Sequence, residues 1–363
     1  MCLILMATTA FGAQKPIKIG CNLELTGGVA AYGQMGRDGI ELIRSIVGTE
    51  VLGRPVELVW VDNKSDRVES ANAASRLIEK EKVVAIIGPM TSGNMLAAGD
   101  VAEKHHIPII GPSTTSPLTT QGKSYVFRAC AIDPFQGTVA AKFAFNSLKA
   151  RKAAILSDIA QDYAVALGKF FAKEFERLGG KVVCTAYIKS GDQDFSAQIT
   201  MIKNSDPDII YMPNYYTEIA LAARQIRDLG LKQPILSGDG ADAPELFSIG
   251  GKAVEGLMHT ALWHERASTT ELGKKYIKAY KEKYGKSPDA FGALGADSYL
   301  MIIDAIKRAN STDPEKIREA LANTKNLQVV TGPVTIENGD AIKPLVIRRA
   351  KNGSFEYLET VNP

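Results

Sequence analysis

Short apolar runs alternate with amphipathic segments along the first third of the chain. The apolar runs predict strands at 17–24, 56–62, 84–88, 107–110 and 125–128. Between them, apolar residues recur three and four positions apart, which predicts helices at 34–47, 68–79 and 95–104. Strands and helices that alternate this regularly predict a parallel sheet with helices on both faces.

The same alternation starts again after residue 134. It predicts strands at 153–157, 181–187, 208–213, 234–237 and 256–260, with helices at 135–148, 163–178, 195–203 and 218–229. Helices at 271–284 and 291–309 follow, then one that opens at Thr312-Asp313-Pro314-Glu315, and short strands that turn at Asn338-Gly339 and Asn352-Gly353. No linker rich in Gly, Ser or Pro separates the halves, so we expect two α/β lobes joined by several short crossovers. Such a hinge suits closure on a ligand.

Composition narrows the class of protein. The 363 residues are long enough for two domains, and 45% hydrophobic with 23% charged residues is an ordinary globular balance. A net charge of +3, without a cluster of Lys and Arg among aromatic residues, argues against a nucleic-acid partner. We expect the protein to act as a monomer.

Residues 1–14 differ from the rest of the chain. An apolar run from Leu3 to Phe11 ends in small residues, which predicts a secretory signal peptide and a periplasmic location. The usual positively charged start is missing, so the peptide is either truncated or begins upstream, and a cytosolic N-terminus is the alternative. No later segment reaches the 18 apolar residues of a transmembrane helix.

The sequence lacks the common catalytic and metal-binding patterns. It contains no G-x-S-x-G, H-E-x-x-H or C-x-x-C motif, and its four histidines are not spaced as metal ligands. Gly33, Gly36 and Gly39 lie three apart and do not form a dinucleotide-binding motif, so we expect them to let a helix pack closely. We therefore expect no catalytic residue, no metal and no cofactor.

Polar residues gather where the predicted strands end, which is where open α/β sheets bind ligands. The first lobe offers Tyr32, Ser92, Ser113 and Thr115, and the second offers Tyr163, Tyr215 and Asp239. Ser92 precedes a helix, whose free N-terminal amides favour an anion such as a carboxylate. Asp239 would bind an ammonium group. Taken singly, the hydroxyls read as caps or turns and Asp239 as part of a turn; their joint placement at strand ends predicts a site for a dipolar solute.

With these residues in place, the chain resembles the leucine/isoleucine/valine-binding proteins of bacterial ABC transporters. The resemblance covers nearly the whole chain after residue 14 and lies in the order and spacing of several phrases. They include IKIGCNLELTGGVAAYGQMGRDGIELI, VVAIIGPMTSGNMLAAGDVAEKHHIPIIGPSTTSPLT, YVFRACAIDPFQG, DFSAQITMIKNSDPDIIYMPNY, LSGDG and PDAFGALGADSYLMI. It implies a type I periplasmic-binding fold, in which two Rossmann-like lobes with parallel-rich sheets are joined by three crossovers. The lobes would comprise residues 15–133 plus 264–340 and residues 134–263 plus 341–363.

The resemblance also implies roles for single residues. Ser92 and Thr115 match positions that bind the ligand carboxylate, and the backbone carbonyl of Ser113 matches one that faces the amine. Second-lobe contacts match Tyr163, Tyr215 and Asp239, with Asp239 standing where the family more often has Glu. Tyr32, Met90 and Phe291 match positions that form the walls of the side-chain pocket, and Trp263 matches a position at its border.

The implied function is capture of an amino acid with an apolar, branched or aromatic side chain and its delivery to the membrane permease of an ABC transporter. The alternative is a ligand that is not an α-amino acid, namely an aromatic carboxylate, a short amide or a γ-amino acid, bound for uptake or sensing.

Overall fold

The computed structural model describes residues 15–363, and the signal peptide predicted at residues 1–14 lies outside this range. The first sheet has six strands: β1 (Ile17–Leu23), β2 (Glu50–Val51), β3 (Arg54–Asp62), β4 (Ala85–Ile87), β5 (Ile109–Gly111) and β6 (Val126–Arg128). Their spatial order is β2-β3-β1-β4-β5-β6, and all neighbours pair in parallel except β2 and β3. Helices α1 (Ala30–Val47), α2 (Arg67–Glu79) and α3 (Ser92–His105) connect these strands.

The second sheet has seven strands: β7 (Lys152–Asp158), β8 (Lys181–Ile188), β9 (Ile209–Met212), β10 (Ile235–Ser237), β11 (Met258–Ala261), β16 (Leu345–Lys351) and β17 (Ser354–Val361). They follow the order β17-β16-β11-β10-β9-β7-β8, and only β16 and β17 run antiparallel to their neighbours. The helices of this half are α4 (Asp133–Lys142), α5 (Asp162–Arg177), α6 (Ser196–Asn204), α7 (Tyr216–Asp228) and α8 (Glu245–Gly250). A π turn at Phe143–Ser147 extends α4.

The remaining elements lie between β11 and β16. They are α9 (Glu271–Tyr284), α10 (Ala290–Ala309), α11 (Pro314–Ala322) and two small hairpins, β12 (Leu327–Val329) with β13 (Gly332–Val334) and β14 (Ile336–Glu337) with β15 (Asp340–Ala341). Helices α9 and α10 pack against α1, and β15 packs against β6. We call the part built on the six-stranded sheet lobe 1 and the part built on the seven-stranded sheet lobe 2. Short 3-10 turns occur at Pro117–Thr119, Asp239–Ala241, Gly251–Val254 and Glu265–Ala267.

The chain passes between the two lobes three times, at 129–132, 262–270 and 342–344. This topology confirms the predicted α/β fold of two parallel-rich sheets joined by three crossovers. The boundaries 15–133 plus 264–340 and 134–263 plus 341–363 stay a prediction. Within residues 15–363, no helix combines the length and apolarity needed to cross a lipid bilayer.

Sheet interiors explain why the strand predictions succeeded. Every residue of β4, β5 and β9 is buried, as expected for parallel strands covered by helices on both faces. The sequence analysis missed β2 and α8, which are short elements with too few residues to establish a period.

Both predicted Asn-Gly turns are confirmed. Asn338 and Gly339 have φ of 52° and 85°, and Asn352 and Gly353 have φ of 51° and 73°, in the left-handed region that such two-residue hairpins require.

The glycine series on α1 marks its crossing with α10. A Cβ atom on Gly39 would lie 1.8 Å from the backbone oxygen of Gly292, and a Cβ on Gly295 would lie 2.7 Å from the backbone oxygen of Gly36. The two helices therefore approach backbone to backbone, which confirms the expected close packing. The same crossing brings Tyr32 of α1 against Phe291 of α10, with ring centroids 4.3 Å apart.

Replacing Gly39 with alanine is expected to destabilise the protein by about 1–3 kcal/mol, because the added methyl group forces two backbones apart. Urea unfolding measures the effect. The matched control is Gly168→Ala on α5, where the new Cβ would find its nearest neighbours at an ordinary 3.6 Å. That variant should gain up to about 1 kcal/mol from the better helix propensity of alanine. Equal stability of the two variants would contradict the helix-crossing argument.

Candidate functional site

Residues of both lobes enclose a small cavity at the carboxyl ends of the strands. The lining residues are Tyr32, Met90, Thr91, Ser92, Ser113, Tyr163, Tyr215, Asp239, Gly240 and Phe291, around a narrow gap of about 10 Å³. Pockets for drug-sized ligands span roughly 300–1,000 Å³, so in this closed arrangement the two walls lie almost in contact, and a ligand needs them to move apart.

Wider depressions lie elsewhere on the protein. One adjoins the cavity, shares Thr91 and Tyr215 with it, and measures about 340 Å³. Two others flank the turn at Asn338-Gly339, away from the strand ends that carry the predicted polar groups. The small cavity is the one in which predicted polar groups of both lobes face each other, so it is the candidate site.

The lobe 1 wall is formed by the segments that follow β4 and β5. The Ser113 hydroxyl donates a hydrogen bond to the Met90 carbonyl at 2.7 Å, and the Ser116 N–H donates to the Ser92 hydroxyl at 3.2 Å. These contacts hold the two segments side by side. The buried Thr115 hydroxyl lies beside the Asp133 carboxyl but makes no hydrogen bond of normal geometry with any residue in 15–363.

A buried carboxylate fixes the segment before α3. Glu24 is fully buried and accepts hydrogen bonds from the N–H groups of Met90 and Thr91, at 2.9 and 3.1 Å. The Thr91 hydroxyl and the Asn94 amide add bonds of 2.8 and 2.9 Å. Sequence reasoning had placed Glu24 at the end of a strand without a role. A charged residue that ends an apolar strand was the available signal.

A buried arginine fixes the segment after β5. The Arg128 guanidinium donates to the carbonyls of Thr114 and Ser116 at 2.6 and 2.9 Å and to the Thr120 hydroxyl at 2.7 Å. Its Nε lies 2.7 Å from a carboxylate oxygen of Asp340, although the arginine itself is fully buried. Arg128 was also missed, because its partners are mainly backbone carbonyls that a sequence does not reveal.

The lobe 2 wall is built around Asp239, which follows β10. Its Oδ1 accepts hydrogen bonds from the Tyr163 hydroxyl at 2.8 Å and from the Gln136 amide at 2.9 Å. Burial raises the pKa of Asp239 from 3.8 to about 6, although these two hydrogen bonds favour the charged form. Within residues 15–363, no lysine, arginine or histidine forms an ion pair with it. Asp239 is thus a buried carboxylate that a ligand cation would stabilise.

Aromatic rings complete the enclosure. Tyr32 stacks on Phe291, and Tyr163 stacks on Tyr215 with ring centroids 5.3 Å apart and planes 2° from parallel. The Tyr32 hydroxyl donates to the Gly240 carbonyl at 2.6 Å, which ties α1 of lobe 1 to lobe 2. The buried Tyr215 hydroxyl has no hydrogen-bond partner among the residues that the structure describes.

The structure brings the predicted site residues together. Eight line the cavity: Tyr32, Met90, Ser92, Ser113, Tyr163, Tyr215, Asp239 and Phe291. Thr115 and Trp263 are buried without lining the cavity. Ser92 and Asp239, on which the sequence argument depended, lie on opposite walls of one enclosed gap. Their roles in binding stay predictions. Over residues 15–363, no three His, Cys, Asp or Glu side chains are arranged to hold a metal ion.

Comparison with known proteins places this geometry in a family. The family model described as periplasmic binding protein matches residues 16–354. The Leu/Ile/Val-binding protein BraC3 of Rhizobium johnstonii is 31% identical over 350 residues, which cover 93% of this chain and 92% of that protein. The Leu/Ile/Val-binding protein homolog 1 of Brucella suis is 30% identical over 98% of this chain and 97% of its own length.

Two solved structures are closely similar to the whole described chain. The leucine binding protein LivK from Thermotoga maritima has a TM-score of 0.94 and 48% identity, covering 96% of this chain and 99% of that one. The branched-chain amino acid transporter substrate binding protein LivJ from Streptococcus pneumoniae, solved with isoleucine, has a TM-score of 0.90 and 32% identity, covering 96% of this chain and 100% of that one. This family supplies solute-binding components of transporters and is not a family of enzymes. The chain belongs to the periplasmic binding proteins, in the type that serves branched-chain amino-acid ABC transporters.

Proposed function

We propose that this protein captures an α-amino acid with an apolar side chain between its two lobes and delivers it to the permease of an ABC transporter. It acts in the periplasm after export by the segment at residues 1–14, as a monomer and without catalysis. LivJ from Streptococcus pneumoniae was solved with isoleucine, and the relatives in Rhizobium and Brucella are named for leucine, isoleucine and valine. Leucine, isoleucine and valine are therefore the first ligands to test.

One observation carries the proposal: hydroxyl and amide donors on one wall of the cavity face a buried carboxylate on the other. The first N–H groups of α3, at Ser92 and Gly93, have no partner within the helix and lie at its positive end. Together with the Ser92 hydroxyl, which lines the cavity, they suit a carboxylate, while Asp239 suits an ammonium group; a contact of Thr115 with the ligand stays a prediction. Charge-assisted hydrogen bonds of this kind contribute about 1.5–3 kcal/mol each. An α-amino acid carries both charges on one carbon.

The rest of the cavity supports an apolar side chain. Tyr32, Met90 and Phe291 are almost fully buried and present ring and thioether surfaces to the cavity. Burial of apolar surface on closure stabilises the complex by about 25 cal/mol per Å². Because the ligand contacts both lobes, it binds the closed arrangement better than an open one and shifts the population toward closure. The permease would recognise that closed form.

A thermal-shift screen of the protein tests the proposal. The protein is first unfolded and refolded to remove ligand carried through purification, then mixed with leucine, isoleucine, valine, glycine, benzoate and γ-aminobutyrate. At 100 times its dissociation constant a ligand stabilises by about 2.7 kcal/mol, which shifts the melting temperature by several degrees. We expect shifts from the branched-chain amino acids and none from glycine. A shift from benzoate or γ-aminobutyrate alone would replace the proposal with its alternative.

The aromatic carboxylate is a second candidate because flat rings surround the cavity. The parallel Tyr163–Tyr215 pair and the Tyr32–Phe291 pair offer faces on which a further ring can pack. A ligand with a carboxylate but no amine would leave Asp239 without a cation. Because the pKa of Asp239 is about 6, its side chain would become neutral only below that pH. The amino acid satisfies more of the buried polar groups at neutral pH and is preferred for that reason.

A further inference from the structure

The side-chain amide of Gln136 uses all of its hydrogen-bonding capacity in lobe 2. Its nitrogen donates to Oδ1 of Asp239 at 2.9 Å and to Oδ1 of Asp133 at 3.1 Å. Its oxygen accepts the Asp239 N–H at 3.0 Å and the Thr260 hydroxyl at 2.7 Å. An amide has two hydrogens and two lone pairs on oxygen, so each is occupied. Reversing the amide would set its NH₂ group against the Asp239 N–H, so its orientation is determined.

Asp133 connects this amide to lobe 1. It is fully buried, begins α4 directly after the first crossover, and donates its backbone N–H to the Thr115 carbonyl at 2.9 Å. A continuous chain of hydrogen bonds therefore runs from Thr115 through Asp133 and Gln136 to Asp239. It links the proposed carboxylate contact of lobe 1 with the proposed amine contact of lobe 2.

Two buried carboxyl groups thus share one amide. Among residues 15–363 neither accepts a hydrogen bond from a basic side chain, since the Arg128 guanidinium bonds to Thr114, Ser116 and Thr120. Burial and the charge of Asp239 raise the pKa of Asp133 to about 7. Two interacting acids of this kind titrate as a pair, and a cation beside them favours the charged form of both.

We propose that Gln136 is the positioning residue of the amine site, and that it joins Asp239 to Asp133 as one coupled pair of carboxyl groups that receives the ligand ammonium. This inference rests on the proposed function and adds two residues to it. Both bonds of Gln136 to Asp239 lie within lobe 2, so the amine site is set before the lobes close.

The pH dependence of leucine affinity measures the titration of Asp133 and Asp239. Four tyrosines face Asp239 from four other segments, namely Tyr32, Tyr163, Tyr211 and Tyr215, and burial raises the pKa of each well above 10, so they stay neutral. Burial likewise raises the pKa of Cys130 above the neutral range. Asp242 also faces Asp239, but its carboxylate is paired with Arg348 at 2.6 Å. Burial raises the pKa of Asp242 as well, although Arg348 opposes that shift, so the part of the pH dependence that belongs to Asp133 and Asp239 is the part that substitutions at Gln136 and Asp133 shift.

The experiment is isothermal titration calorimetry with leucine between pH 5 and 8 on the refolded protein. Protonation of Asp239 removes the charge that holds the ammonium, so affinity should fall as the pH is lowered. Gln136→Met removes a donor that favours the carboxylate, so the midpoint of this fall should move up by about one pH unit or more. Asp133→Asn removes the neighbouring charge while keeping an oxygen that accepts from Gln136, so the midpoint should move down.

Gln225→Met is the matched control, because Gln225 also bonds through both amide atoms, to Phe195 and Gln193, away from the cavity. It should keep the wild-type midpoint. A residue with a merely structural role would weaken leucine binding equally at every pH. The inference is overturned if Gln136→Met keeps the control's midpoint, or if Asp133→Asn leaves it unchanged or raises it. Should Gln136→Met fail to fold, Asp133→Asn decides alone. Absence of leucine binding by the wild type at every pH would instead refute the proposed function.

Discussion

Replacing Asp239 with alanine is expected to lower the affinity for leucine by about 30-fold or more. Loss of one partner of a buried charge pair costs about 2–5 kcal/mol, which is roughly 30-fold to several thousandfold in a dissociation constant. The variant also removes the acceptor of the Tyr163 and Gln136 hydrogen bonds, so both lose the group that they orient. Calorimetric titration of the refolded protein at pH 7.5 measures the change.

Two further variants separate lost binding from lost folding. Asp228→Ala changes an exposed aspartate of the same lobe that makes no side-chain hydrogen bond or ion pair with the described residues, and it should bind leucine normally. Asp239→Asn keeps the size of the side chain. Because burial raises the pKa of Asp239 from 3.8 to about 6, the ligand-free fold loses stability as the pH rises from about 4 to about 6, and the full loss is present at pH 7.5. The asparagine variant should therefore melt no lower than the wild type at pH 7.5. Leucine binding by Asp239→Ala within about threefold of wild type would remove Asp239 from the site.

Replacing Arg128 with methionine is expected to destabilise the protein by about 3–5 kcal/mol, the usual effect of breaking a buried ionic contact. Methionine fills part of the volume but leaves the Thr114 and Ser116 carbonyls and the Thr120 hydroxyl without their donor. The segment that carries Ser113 and Thr115 would lose its support at the same time, so leucine affinity should fall as well. Urea unfolding and calorimetric titration measure the two effects.

Arg224→Met is the control for this change. Arg224 is exposed on α7 and forms no side-chain hydrogen bond or ion pair with residues 15–363, so its replacement should alter stability by less than about 0.5 kcal/mol. Arg128→Lys keeps the charge but not the forked set of donors, and we expect it to lie between the two. If Arg128→Met were as stable as Arg224→Met, the buried guanidinium would have no structural role.

Helices and strands long enough to show a recurring pattern of apolar residues were predictable from the sequence. Parallel strands buried on both faces appear as apolar runs, and the helices between them show one apolar face, so the alternation revealed the two sheets. The rule that ligands bind beyond the strand ends then placed Ser92 and Asp239 in one site, and the structure sets them on opposite walls of the cavity. Periodicity predicted the two α/β lobes, whereas the three crossovers and the roles of single residues came from the family resemblance, and those roles stay predictions.

The groups that hold the site in shape were not predictable in this way. Glu24 binds two backbone N–H groups, Arg128 binds two backbone carbonyls, and Gln136 reaches across from α4 to a residue 103 positions later. Backbone groups carry no signature in the amino-acid pattern, and long-range partners follow from the fold alone. Trp263 is buried and does not line the cavity, so its place at the border of the pocket stays a prediction.

The three passages of the chain between lobes bear on how the protein responds to proteases. A single cut within 129–132, 262–270 or 342–344 leaves the two lobes joined by the other two connecting segments of the chain. The nicked molecule would stay whole under native conditions, because β16 and β17 hold the last segment in the seven-stranded sheet and α9 and α10 hold the preceding one against α1. Only the third scission would free one lobe from the other, so a nick that is obvious on a denaturing gel need not abolish uptake.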